Sequence, residues 1–190
     1  MPELPAPSLH GIVLAAGAGS RMGMPKALVR EDDGTPWLHL ACGLLRDAGC
    51  DPVTVVLGAR ADEATALLPP GARHVFAADW ESGLGASLRA GLAAAGDADA
   101  VLVTLVDLPD LPVSVARRVV EAGTAAAALR QAVFDGRPGH PVLIGRDHVP
   151  QLAAALVGDR GARPYLMAHG VVEVECGDLS TGADVDARPS

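Results

Sequence analysis

The sequence predicts an α/β domain whose mostly parallel sheet lies between layers of helices. Apolar runs of the kind that form buried strands alternate with Ala/Leu-rich helical stretches along the 190 residues. Continuous apolar runs mark strands covered on both faces, and repeated strand-helix alternation implies parallel pairing through right-handed crossovers. No internal repeat or dividing linker interrupts the chain, and its length suits one domain with a sizeable core.

The first strand is the apolar run 9–15, which ends just before Gly17. Residues 36–48 read as a helix, with Thr35 as N-cap, Pro36 in the first turn and Gly49 as C-cap. Residues 53–57 form a second strand, 61–68 a short helix and 73–76 a third strand. Ser82 then caps a helix running to Ala95 and closed by Gly96. The run 100–106 is apolar except for Thr104 and stops abruptly at Asp107-Leu108-Pro109, the clearest strand of the chain. After Glu121 the rhythm changes: 125–129 and 141–144 read as strands separated by a polar Gly/Pro turn. Helices follow at 147–157 and around 164–168. A last strand, 171–176, carries alternating Glu173 and Glu175, as an exposed edge would.

Composition narrows the function. Hydrophobic residues make up 49% and charged residues 20%, an ordinary globular balance, whereas only 3% is aromatic. The core is therefore aliphatic, and base recognition is expected to rely little on stacking. The formal charge is -8 and no Lys/Arg block occurs, which argues against nucleic acid. An anionic substrate then needs a few local cations or a metal. Cys42, Cys50 and Cys176 lack CxxC spacing, and the six His form no i,i+4 pair, against a disulfide framework or structural zinc. No apolar run reaches the ~18 residues of a membrane span. Residues 1–8 hold three prolines and no basic segment, unlike a signal peptide. The expected location is the cytoplasm, with no membrane partner.

Three segments fall at strand ends, where open α/β sheets bind ligands: 16–26, 107–112 and the polar tail at 184–186. The first is not a dinucleotide fingerprint, because its third glycine position holds Met22. Nor is it a Walker loop, because Gly23 is followed by Met24. It is a Gly-rich turn carrying Arg21 and Lys26. Glycines let successive backbone N–H groups turn toward an anion. Arg21 suits bidentate contact with phosphate, and Lys26 supplies a compact charge. A flexible loop with solvated cations is the alternative; both cations following strand one favour phosphate binding.

The run Leu14-Ala15-Ala16-Gly17-x-Gly19-x-Arg21-Met22-Gly23-x-Pro25-Lys26 resembles the signature of the MobA-like nucleotidyltransferases, and within them the molybdenum cofactor cytidylyltransferases. The resemblance extends through Gly83-x-Gly85-x-Ser87-Leu88, Asp107-Leu108-Pro109, Pro138-Gly139-His140-Pro141, Gly158-Asp159-x-Gly161-Ala162-Arg163 and Asp184-Val185-Asp186. It implies nucleotide contacts from Leu14, Ala15, Ala16, Gly17, Gly19, Ser20, Arg21, Lys26, Gly83, Gly85 and Ser87. Gly83 to Ser87 opens a helix whose N–H groups suit phosphate, although Ser82 could act there only as an N-cap. His140 and Arg163 are implied to face a pterin-phosphate acceptor, with plain surface roles as the alternative.

Asp107 follows the most buried strand, and a carboxylate so placed can hold Mg²⁺, which takes few protein ligands and shares phosphate oxygens. An Asp before Leu-Pro is also a common turn former. The resemblance implies Asp107 and Asp186 as metal ligands, with Asp184 as the alternative to Asp186. The family's ending after this acid pair is Thr-Pro-Glu-Asp, which Ala187-Arg188-Pro189-Ser190 replaces. The two acids also suit a frayed, solvated tail.

The expectation is a Rossmann-like three-layer α/β domain over 1–190, with a nucleotide-binding half at 9–112 and an acceptor-binding half at 113–190. Arg21, Lys26 and Asp107 are the expected catalytic residues. By resemblance, the reaction transfers CMP from CTP to a molybdopterin-type cofactor and releases pyrophosphate, with Mg²⁺. The alternatives are GTP with molybdopterin, a sugar 1-phosphate or phospholactate acceptor, and a non-catalytic nucleotide- or cofactor-binding module.

Overall fold

In the computed structural model, which describes residues 7–185, the apolar runs 9–15, 53–57 and 73–76 form strands with those limits: β1 (Leu9–Ala15), β2 (Val53–Leu57) and β3 (Arg73–Phe76). The run at 100–106 gives β4 (Ala100–Leu105), and the chain continues through β5 (Leu129–Phe134), β6 (Arg137–Gly145) and β7 (Val172–Glu175). These strands form one sheet in the order β3-β2-β1-β4-β6-β5-β7. β1 pairs in parallel with β2 and β4, β2 with β3, and β5 with β7. β6 is antiparallel to both β4 and β5, so the sheet is mixed and mostly parallel.

Every residue of β1 and β2 is buried, because both have neighbours on each side and helices on each face. Val13, Ala15 and Leu102 point into the core formed with α1 (Trp37–Asp47) and, after β4, the helix Val113–Glu121. Ile12, Leu14 and Val103 point to the opposite core, beneath the helix Leu84–Ala94 and the helices Val149–Ala155 and Arg163–Ala168. In chain order the helices after α1 are α2 (Ala61–Thr65), α3 (Leu84–Ala94), α4 (Val113–Glu121), α5 (Val149–Ala155) and α6 (Arg163–Ala168). β1 lies between β2 and β4, so the chain leaves it in one direction and later returns on its other side. The crevice at the carboxyl ends of β1 and β4 is therefore the ligand-binding switch point of the sheet.

The second half departs from the sequence reading at several places. The strand expected at 125–129 begins only at Leu129. Ala125 to Ala128 closes a turn through the Ala128 N–H and the Ala125 carbonyl, 2.8 Å apart. That turn passes so near Gly145 that a Cβ there would lie 2.1 Å from the Ala126 carbonyl oxygen. An alanine run has no β-branched surface to hold it in a sheet. β6 starts four residues before the expected 141, because Asp135 and Gly136 form a tight hairpin with φ of 52° and 75°. Such a two-residue turn needs left-handed backbone at both positions, and Asp-Gly supplies it. α4 had no counterpart in the sequence reading. α2 stops at Thr65 and not 68, where Leu67 and Leu68 lead into Pro69-Pro70.

The expected caps also change. Pro36 occupies the N-cap position of α1 and Gly83 that of α3, and neither Thr35 nor Ser82 caps its helix through a side chain. The Thr35 N–H instead donates to the Asp33 carboxylate at 2.8 Å. Ser82 belongs to a short 3-10 turn, Trp80–Ser82. The last strand, β7, does lie at the sheet edge. Its Glu175 carboxylate accepts the N–H groups of Asp135, Gly136 and Gly177, tying that edge to the hairpin.

Candidate functional site

The loop after β1 is shaped by one unavoidable glycine. Gly19 has φ +61°, and a Cβ there would lie 1.9 Å from the Met24 carbonyl oxygen. The Met22 N–H closes the turn on the Gly19 carbonyl at 2.9 Å. At Gly17, by contrast, an added Cβ would meet nothing within 4 Å, so this glycine borders open space. The loop is anchored behind by the Ala59 N–H, which donates to the Ala16 carbonyl at 3.0 Å. Pro25 then leads into a 3-10 turn, Lys26–Leu28, that aims Lys26 back across the sheet.

Lys26 Nζ lies 2.6 Å from Asp107 Oδ2, although 81 residues separate them. Their side chains are only 18% and 14% exposed. β1 and β4 are adjacent, so a residue following each meets its counterpart at the shared end. The Val106 N–H donates to the Leu14 carbonyl at 3.2 Å, carrying the pairing to the threshold of Asp107. The Val185 N–H donates to the Asp107 carbonyl at 3.0 Å, bringing the C-terminal segment to the same place.

These elements border a cavity of about 370 Å³. Leu14, Ala15, Ala16, Gly17, Gly19 and Lys26 line one side, Gly83 and Ser87 another, and Asp107 the end. Ser20 and Arg21 line an adjoining cavity of about 160 Å³ that shares Gly19 and Lys26. His140 and Arg163 line a third, of about 190 Å³, which meets the first at Leu14 and Leu84. Gly85 stands apart from the other expected nucleotide residues. Its N–H donates to the Gly158 carbonyl at 3.0 Å, and a Cβ would lie 2.8 Å from that oxygen. Close backbone packing therefore accounts for this glycine. Asp186 lies outside the described residues, while Asp184 is exposed.

Sequence reasoning missed Trp80 and Glu81, which line the first of these cavities just before Gly83. Trp80 gives this cavity one aromatic surface. Gly58 supports it: a Cβ there would lie 2.6 Å from Trp80 Cγ and 2.5 Å from the Ala16 carbonyl oxygen. The available signal was the Trp-Glu-Ser-Gly run leading into a helix after a strand. Gln131 and Arg160 in the third cavity also went unread.

The electrostatics suit anion chemistry held by a cation. Asp107 Oδ1 is buried with no hydrogen-bond partner among the described residues, and a bare carboxylate oxygen is the donor that hard divalent cations take. A divalent metal fits there. Among the described residues no group of three or more His, Cys, Asp or Glu could hold a metal. A carboxylate completed by phosphate oxygens is a donor set that a hard divalent cation accepts. Burial pushes the His140 imidazole down to about 4, against the opposing pull of the Asp107 and Asp184 carboxylates. It is neutral at neutral pH. No helix among the described residues is long and apolar enough to cross a membrane.

The nicotine blue oxidoreductase of Paenarthrobacter nicotinovorans is 38% identical over 98% of this chain and 96% of its own length. A molybdenum cofactor guanylyltransferase of Burkholderia orbicola is 33% identical over 94% and 91%. The crystal structure of Rv0371c from Mycobacterium tuberculosis superposes with a TM-score of 0.82 at 28% identity, covering 96% of this chain and 95% of that one. A structure of Rv0371c in complex with manganese superposes at 0.74, over 89% of this chain and 88% of that one. The family model of the MobA-like NTP transferase domain matches residues 11–174. With the glycine loop, Lys26 and Asp107 gathered at the switch point, the chain belongs to the MobA-like NTP transferase family.

Proposed function

We propose that this nucleotidyltransferase moves CMP from CTP to a molybdopterin-type phosphorylated acceptor in the cytoplasm, releasing pyrophosphate. The observation that carries the reading is the Lys26–Asp107 pair, 2.6 Å apart at the shared end of β1 and β4 and facing the glycine loop. In this reading the chain acts as one domain. Residues 9–112 hold the nucleotide and 113–190 supply the acceptor side.

The backbone of residues 15–19 and the wall of Gly83 and Ser87 hold the nucleotide, with Trp80 beside it. Lys26 and Arg21 offset charge on the triphosphate. Asp107, with Asp186 or Asp184 from the tail, holds Mg²⁺, which supplies Lewis-acid stabilisation of the phosphate oxygens when bound. An acceptor phosphate oxygen attacks the α-phosphorus. The new P–O bond forms as the bond to the β-phosphate oxygen breaks, and pyrophosphate leaves. The acceptor phosphate is already ionised, so its attack needs no general base. Positioning and electrostatics supply the rate. His140 and Arg163 face the acceptor, His140 as a neutral hydrogen-bonding group and Arg163 as an anion contact.

A second reading rests on the oxidoreductase named among the relatives, which matches this chain over nearly its full length. The same cavity would then hold a nucleotide-bearing reductant. Incubating the protein with each of four nucleoside triphosphates, Mg²⁺ and candidate acceptors, while measuring pyrophosphate, tests the first reading. Pyrophosphate release dependent on both substrates supports transfer. Its absence, with acceptor-dependent oxidation of a nicotinamide dinucleotide, supports the second.

A further inference from the structure

Gln131 of β5 lines the third cavity and is only 8% exposed. Its Nε2 donates to the Gly139 carbonyl at 3.2 Å, its one side-chain hydrogen bond among the described residues. A carbonyl only accepts, so this contact fixes which end of the amide is nitrogen. Gly139 in turn packs so closely on Phe134 that a Cβ would lie 2.7 Å from the ring. The remaining N–H and the Oε1 of Gln131 are left to a partner from the cavity. A ligand that fills the cavity and covers these groups without pairing them loses affinity.

The surrounding walls are aliphatic, including Leu88, Val103, Val142 and Leu166. Arg160 and Arg163 also line the cavity and are solvent-exposed, which places cations at its rim. Apolar walls with a few placed polar groups suit a ring, and the rim cations suit an anionic substituent. The volume of 190 Å³ lies below the ~300–1,000 Å³ of drug-sized sites, so one ring system fits, not a whole substrate. An amide offering an acceptor beside a donor complements a lactam edge, where C=O adjoins N–H.

We propose that Gln131 is the specificity residue for the acceptor, its pinned amide reading the lactam edge of a planar fused heterocycle whose anionic substituent passes Arg160 and Arg163. This rests on the proposed transfer reading for the direction of the substituent, toward the nucleotide cavity across the shared Leu14 and Leu84.

Pterin and 2,4-diaminopteridine differ at that edge, where the analogue reverses donor and acceptor. Both fluoresce, so their binding to the wild-type protein and to Gln131→Met is read directly by titration. Wild type is expected to favour pterin by about tenfold or more, because the reversed edge leaves buried groups facing like groups. Gln131→Met is expected to bring the ratio toward one, and in the transfer assay to raise the acceptor KM while the CTP KM stays unchanged. Failure of wild type to bind pterin, or to discriminate, overturns the proposal without any variant. A folded Gln131→Met protein that weakens both probes equally also overturns it, since mere bracing of Gly139 would do that. Discrimination lost in Gln131→Met but no pyrophosphate release with any acceptor would sink the transfer reading and leave this assignment standing. Transfer without edge discrimination would do the reverse.

Discussion

Lys26 lines the main cavity and Arg21 the adjoining one, and in the proposed transfer both cations face the charge that develops on the phosphates. Lys26→Ala and Arg21→Ala are each expected to lower turnover by about 10²-fold or more, measured as pyrophosphate release. Near wild-type rates in both would reduce the loop to a connector. Asp107→Asn keeps the side-chain shape but removes a formal charge. It is expected to stay folded by circular dichroism while losing activity that depends on divalent metal. Retained activity with unchanged metal dependence would remove Asp107 from the metal site. His140 makes a separate prediction about stability. Burial holds its folded pKa at about 4, below the 6.5 of an exposed imidazole. Between those values the unfolded chain binds more protons than the folded one, so stability is fully present above pH 6.5 and falls toward pH 4. Urea midpoints across that window are expected to drop less steeply in His140→Gln than in wild type, and equal slopes would contradict it.

Elements meet at places no local pattern marks. The turn into α3 carries Gly83 and Gly85, and the segment after α5 lies against both of them. Gly85→Ala forces a Cβ to 2.8 Å from the Gly158 carbonyl oxygen, backbone against backbone. Overpacking of this kind costs about 1–3 kcal/mol, so the urea midpoint should fall even without nucleotide. Unchanged stability with weakened CTP binding would instead return Gly85 to the nucleotide site. The hairpin at Asp135-Gly136 shows what the sequence offered and what was overlooked. Asp-Gly between apolar segments is a strong two-residue turn signal, yet the polar Arg130, Gln131 and Arg137 masked the strands on either side. α4 is amphipathic and buries Val115, Ala116 and Val119 against the sheet. Its charged Arg117-Arg118 pair and the preceding Pro112 obscured that spacing.

At the scale of the molecule, the switch point between β1 and β4 makes a single cleft from residues that the chain keeps far apart. The cavities proposed for nucleotide and acceptor share Leu14 and Leu84, so in that reading base choice and acceptor choice are set on opposite sides of one divide. The proposed cytidylyl reading expects a higher kcat/KM for CTP than for GTP with the same pterin acceptor. A site that pairs with one base edge leaves its polar groups unpaired with another. A preference for GTP would move the chain toward guanylyl transfer, the activity named for the Burkholderia relative.

The parallel strands, the glycine loop and the acid after β4 were legible because each is a local signal. Buried strands declare themselves by unbroken apolar runs, Gly19 and Lys26 lie in one motif, and Asp107 ends a strand abruptly. That the segments 16–26 and 107–112 meet at one strand-end crevice was also expected, but which side chains touch within it was not legible, because strand order and crossovers decide that. Only the adjacency of β1 and β4 joins Lys26 to Asp107. The placing of Trp80 by Gly58, and of the Gln131 amide by Gly139, likewise belongs to contacts between segments. Sequence periodicity sets which face of an element is buried. Long-range packing alone decides which polar group that face presents to a ligand.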